Sequence, residues 1–136
     1  LLSKLLNIHK SKNQMNQKMK LLNEINTSIR YHAYLFMAIV ENLQRANLNP
    51  VETARAYARL QDEFGLTQRE VATRLGKSRE SIANTLRILN LPSEIQDAVV
   101  KNQINESQAR LLLAIDDMAQ QMAIFNELIK NNLSVR

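Results

Sequence analysis

Arg79, Glu80, Ser81, Asn84 and Arg87 stand at spacings that gather on one side of an α-helix, because Ile82, Leu86 and Leu89 mark the opposite, apolar stripe. Side chains of these types read base-pair edges. Arginine forks onto guanine, asparagine pairs twice with adenine, and glutamate accepts from cytosine. Upstream, Thr67 and Gln68 open another predicted helix and are placed to hold a phosphate at its N-terminus. Lys77 lies beside the turn between the two helices and Ser78 caps the second; both join the DNA-facing set. From Leu66 to Pro92 five basic residues face two acidic ones, a local balance of +3. The chemistry implied is contact with a DNA duplex, bases on one helix face and phosphates at its flanks.

Such a face needs helices that hold it still. Thr67 is a predicted N-cap with Glu70 three residues on, a capping box, and Leu66 and Val71 occupy the two positions of a hydrophobic staple. That helix runs to Leu75, Gly76 lets the backbone turn, and small Ala72 allows a close approach of the next helix. Two short helices joined by a brief turn with glycine form a helix-turn-helix, whose second helix lies in the major groove. The plain alternative is an ordinary helical hairpin, and the polar outer face of the second helix stands against it.

The remaining elements are also helical. Pro50 suits a first turn, Glu52 suits the positive end of the helix dipole, and Val51, Ala54, Tyr57, Leu60 and Phe64 line one face up to Gly65, an expected left-handed cap. Further upstream, Met15, Met19, Leu22, Ile25 and Ile29 recur at steps of three and four and predict an amphipathic helix that buries one stripe as an ordinary packing face. Lys10, Lys12, Lys18 and Lys20 on it read as a solvated face, with phosphate contact as the alternative. Tyr31 to Gln44 reads as a second, more buried helix, which Asn47, Asn49 and Pro50 bring to a stop. With two glycines and two prolines among 136 residues, the expected class is all-α.

There are no cysteines, which excludes disulfides and thiolate metal sites. His9 and His32 stand without partners at ligand spacing and read as ordinary residues. The longest apolar run, Ala33 to Val40, is far short of the roughly 20 residues of a membrane span, so the expectation is a cytoplasmic, nucleoid-associated protein with no membrane partner. Net charge is +5, but Leu1 to Val40 holds six basic residues against Glu24 alone, whereas Glu41 to Arg136 holds twelve of each sign. The case for DNA therefore rests on local arrangement rather than bulk charge. The chain opens on Leu and stops at Arg136, so a fragment of something longer is expected.

The run ENLQRANLNPVETARAY, followed by LTQREVATRLGKSRESIANTLRILNLP, resembles the ParB family of chromosome and plasmid partition proteins, and INESQARLLL through LSVR fits that family's next segment. The resemblance covers about Ile39 to Arg136. It implies a helical domain that recognises a palindromic, centromere-like parS site as a homodimer, spreads onto neighbouring DNA, and works with a partition ATPase and a condensin. It also implies a CTP switch, in which ENxQR, here Glu41, Asn42, Gln44 and Arg45, contributes to nucleotide and Mg²⁺ binding. A carboxylate and an amide oxygen suit a hard cation, and an arginine suits phosphate. The family's upstream GERRxR-type phosphate box has no counterpart, so this chain is expected to bind no CTP by itself; CTP and Mg²⁺ are expected of a full-length protein. Where the family commonly has a GHAR tetrad, this chain has Ser107, Gln108, Ala109 and Arg110, and Asn102 replaces a frequent glycine. The expected organisation is an N-terminal helical arm over 1–46 and a ParB-type helix-turn-helix domain over 47–136. The expected function is sequence-specific DNA binding in segregation. Its alternatives are a CTP-hydrolysing clamp and a plasmid repressor or nucleoid-occlusion factor with the same reader.

Overall fold

The computed structural model describes residues 1–131, and the LSVR end of the resemblance lies outside them. Among the described residues there are helices and turns but no strand, and the chain divides into two compact units, Leu1–Ala38 and Ile39 onward.

Helix α1 runs from Leu2 to Leu43 without a break. This corrects the expectation of two helices, and the reason is local. No glycine or proline falls between Leu2 and Leu43, and the Thr27 hydroxyl donates to the Asn23 carbonyl at 2.8 Å within the helix instead of capping a new one. The expected burial fails too. Met15, Met19, Leu22, Ile25 and Ile29 are all exposed, and Ile39 is the one buried residue of α1. Tyr31, Tyr34 and Met37, assigned above to a more buried helix, are also exposed. The helix stops where expected, through Asn47, whose φ of 68° puts it in the left-handed region that asparagine tolerates.

Helix α2, Pro50–Phe64, begins at the Asn49 cap, whose Oδ1 accepts from the Val51 amide at 2.8 Å. The same side chain's Nδ2 donates to the Val99 carbonyl at 2.9 Å, pinning the start of α2 to a segment 50 residues on. Val51, Ala54, Tyr57 and Leu60 are buried as the spacing predicts, with Phe64 half-buried, and Gly65 closes the helix at φ 62°. Burial pushes the Tyr57 phenol above its usual pKa, so it stays neutral. Helices α3, Gln68–Leu75, and α4, Arg79–Leu86, follow, then a 3₁₀ turn over Arg87–Asn90. Helices α5, Ser93–Val100, α6, Glu106–Leu113, and α7, Met118–Asn131, complete the order. Val51, Ile88, Leu91, Ile95, Leu112 and Phe125 belong to one core cluster that joins α2 and the 3₁₀ turn to the last three helices. Among the described residues no buried side-chain nitrogen or oxygen lacks a hydrogen-bond partner, which is what a stable interior requires.

Asn102, the stand-in for a frequent glycine, has φ 58°. Asparagine is among the few side chains that adopt this conformation cheaply, so the exchange keeps the turn between α5 and α6.

Candidate nucleic-acid interface

The interface is built on three helix ends. At the first, the Glu70 amide donates to the Thr67 hydroxyl at 3.2 Å while the Thr67 amide donates to the Glu70 carboxylate at 2.8 Å, closing the expected capping box. Val71 is fully buried and Leu66 half-buried. The box has a cost for the phosphate expectation: it uses two first-turn amides and sets a carboxylate at that end. A phosphate there must be met by Gln68 and its neighbours more than by the Thr67 cap.

The turn follows from Gly76, whose φ of 64° is left-handed, with the Lys77 amide donating to the Ala72 carbonyl at 2.9 Å. A Cβ on Gly76 would touch nothing within 4 Å, so glycine is needed here for backbone conformation rather than for space. Ser78 then caps α4, its hydroxyl accepting from the Ser81 amide at 3.1 Å, and Ala72 is buried between the two short helices' neighbours.

On α4, Ile82 is fully buried, and Arg79, Glu80, Ser81 and Asn84 are exposed. The stripe expected to continue through Leu89 is altered, because α4 ends at Leu86. The 3₁₀ turn advances the chain faster than an α-helix, so Ile88 is fully buried and Leu89 only partly. The Gln96 amide holds that turn by donating to the carbonyls of Leu89 at 3.1 Å and Leu91 at 2.8 Å. Arg87 therefore sits at the junction, exposed, one step past the helix proper. Among the described residues the salt bridges Arg59–Glu63 and Arg110–Glu106 each lie within one helix, α2 and α6, and involve none of Lys77, Arg79 and Arg87. Their charge is thus uncompensated by neighbouring carboxylates, as a polyanion surface needs.

An open cleft of about 250 Å³ brings Asn84 and Arg87 together with Arg110, Leu113 and Ala114 of the α6 region. Arg110 was absent from the residues assigned to DNA by sequence. Its place in the SQAR tetrad was the available signal, but its position beside α4 is a tertiary fact. Gln108 of the same tetrad is a buried structural residue: its amide donates to Asn105 Oδ1 at 2.8 Å and its Oε1 accepts from the Asn105 amide at 2.9 Å, a second capping box, at the start of α6. Thus Arg110 faces outward and Gln108 builds the helix that carries it.

The four residues assigned to nucleotide lie at the end of α1 and in the turn after it. Glu41, Asn42, Gln44 and Arg45 are all exposed, and the Arg45 guanidinium donates to Asn42 Oδ1 at 3.2 Å. Both glycines, Gly65 and Gly76, are engaged as helix caps. Among the described residues no group of three or more His, Cys, Asp or Glu side chains is placed to hold a metal ion, and no helix is long and apolar enough to cross a membrane.

A family model described as the ParB HTH domain matches residues 46–136. The nucleoid occlusion protein of Geobacillus thermodenitrificans strain NG80-2 is 46% identical over 100 residues, covering 74% of this chain and 36% of that relative. The chain spans about a third of the length of the curated relatives it matches. Among solved structures, the C-terminally truncated chromosome-partitioning protein ParB from Caulobacter crescentus, complexed to the centromeric parS site, superposes with a TM-score of 0.64 at 39% identity, over 75% of this chain and 51% of that one. The same truncated protein complexed with CTP-γ-S gives a TM-score of 0.51 at 40% identity, over 65% and 50%.

Proposed function

The chain belongs to the ParB HTH-domain family, and from that membership we propose that residues 47–136 read a parS-like palindromic site in duplex DNA, with α4 in the major groove. The observation that carries the reading is the exposed face of Arg79, Glu80, Ser81 and Asn84, continued by Arg87 and Arg110, with no salt bridge at Arg79 or Arg87 among the described residues. Similarity to a ParB solved on its centromeric site supports DNA as the ligand. Arg79, Glu80, Ser81 and Asn84 contact bases; Gln68, Lys77, Ser78 and Arg87 meet phosphates, with Thr67 at the same helix end. A homodimer on the palindrome, a partition ATPase and a condensin are the further partners that this reading implies. Selecting bound fragments from a random duplex pool tests the reading, and recovery of no shared sequence would sink it.

A second reading has its own support: relatives 46% identical over 100 residues are nucleoid occlusion proteins. The reader is the same in both, and the genomic positions of the selected sites separate them.

Phosphate anchoring gives a salt-dependent prediction. Lys77→Ala should reduce the salt slope of binding by about one unit and weaken all duplexes alike. An unchanged slope in a salt titration would remove Lys77 from the interface.

For nucleotide we propose that this chain alone does not hold CTP. A triphosphate needs converging backbone amides from a glycine-bearing loop or helix start, basic side chains and a metal. Glu41, Asn42, Gln44 and Arg45 supply one exposed wall, and the six basic residues before Glu41 are spread along α1. Calorimetric titration of CTP and Mg²⁺, with and without cognate duplex, should show no heat of binding. Micromolar affinity lost in Arg45→Ala would promote the CTP-clamp alternative instead.

A further inference from the structure

Helix α1 is 42 residues long, lacks an acidic residue in its first turn and a basic one in its last, and presents apolar side chains to solvent along its length. A helix well beyond 25 residues without capping signals is a coiled coil, a membrane span or a helical repeat. The span is excluded by hydropathy, and no internal repeat occupies the chain.

The uninterrupted helix lets its apolar positions be placed in one seven-residue register. One series, Leu1, Ile8, Met15, Leu22, Ile29 and Phe36, is apolar without exception. The series four residues on is Leu5, Lys12, Met19, Asn26 and Ala33. These are the d and a positions of a heptad seam. Off the seam the same stretch is mostly polar, with Asn7, Lys10, Gln14, Gln17, Asn23 and Glu24 on the outer faces. A strict repeat of seven differs from the 3.6-residue turn of a straight helix, so such a stripe stays in line only when two helices wind around each other. A packing face against a globular neighbour has no need of that strictness.

We propose that α1 pairs with α1 of a second copy of this chain as a parallel, in-register two-stranded coiled coil. Parallel pairing sets each seam residue against its own copy, so Asn26 meets Asn26 and the two amides can bond to each other. A polar residue such as asparagine at an a position specifies register and oligomer state at a cost in stability. An apolar partner of another kind, or a lipid surface, would leave Asn26 buried against nothing polar, whereas Lys12, facing its own copy near one end of the helix, carries its ammonium out to water on its flexible stem. The area is sufficient. Ile8, Met15, Met19, Leu22 and Ile29 are each 56–63% exposed. At on the order of 100 Å² per seam side chain, nine apolar positions approach the roughly 800 Å² per partner of a stable interface. The flanking e and g positions contain no acidic residue to pair with or exclude another chain, so specificity lies in the seam itself.

Two measurements on the full chain test this. In sedimentation equilibrium the parent should be a dimer, Leu22→Asp should abolish the dimer where the parent is fully paired, and Leu21→Asp, one residue off the seam and equally exposed, should leave it intact. A monomeric parent, or equal effects of the two variants, overturns the proposal. Because the chain has no cysteine, Ile8→Cys introduces a single thiol near one end of the helix. Facing thiols within the about 7 Å Cα separation a disulfide spans should link on mild oxidation, whereas Asn7→Cys should not. Linkage through Asn7→Cys but not Ile8→Cys, or none, rejects the parallel register.

Discussion

An Ile82→Ala chain should be less stable than the parent by roughly 2–5 kcal/mol, and duplex binding should fall with the folded fraction. Ile82 is the one buried residue of α4 and is fully enclosed, at 0% exposure. Helix α4 has eight residues, too few to persist alone, so its position comes from that side chain packing against its neighbours together with the Ser78 cap. Removing three carbons leaves a cavity that Ala72, already small, cannot fill. Small domains have about 5–15 kcal/mol in total, so the loss is a large share. Chemical denaturation checks it through the midpoint, with the slope unchanged. A loss below about 1 kcal/mol would mean the site collapses around the shorter residue and α4 is held by other contacts.

Arg79→Ala and Asn84→Ala should each weaken binding to the best selected duplex by roughly 1–3 kcal/mol, about fivefold to 160-fold, while leaving random duplex nearly untouched. Both side chains are exposed, and Arg79 has no acidic partner, so truncation removes base contacts without unfolding anything. Asn84 also lines the cleft that holds Arg87 and Arg110. Parallel titrations of selected and random duplexes decide the matter. Equal losses on both would show that this face anchors phosphates and reads no bases.

Much of the helix-turn-helix was legible because its rules are local. The Thr67–Glu70 box, the left-handed caps at Gly65 and Gly76 and the Ser78 cap each depend on residues within a few positions. What escaped depends on distant partners. The early end of α4 and the burial of Ile88 rest on Gln96 holding the Leu89 and Leu91 carbonyls. Arg110 joins Asn84 and Arg87 only once α6 is docked on the core. The unbroken α1 was misread because the stripe ending at Ile29 and the apolar run from Tyr31 read as separate helices, although no glycine or proline parts them. The exposed stripe was misread for a different reason: amphipathicity states that a face wants cover without stating which molecule provides it.

The order of packing around the reader has a kinetic consequence. Helix α2 meets α3, α4 and the 3₁₀ turn, α3 meets α4, and α6 meets α7, so most partners lie close along the chain. Structures dominated by such near-neighbour contacts cross their folding barrier in microseconds to milliseconds, since little loop must close before helices reward one another. An opened molecule should therefore reclose before a protease can cut it. Cleavage rates across reader variants would then rank them by equilibrium free energy rather than by the speed at which each one opens.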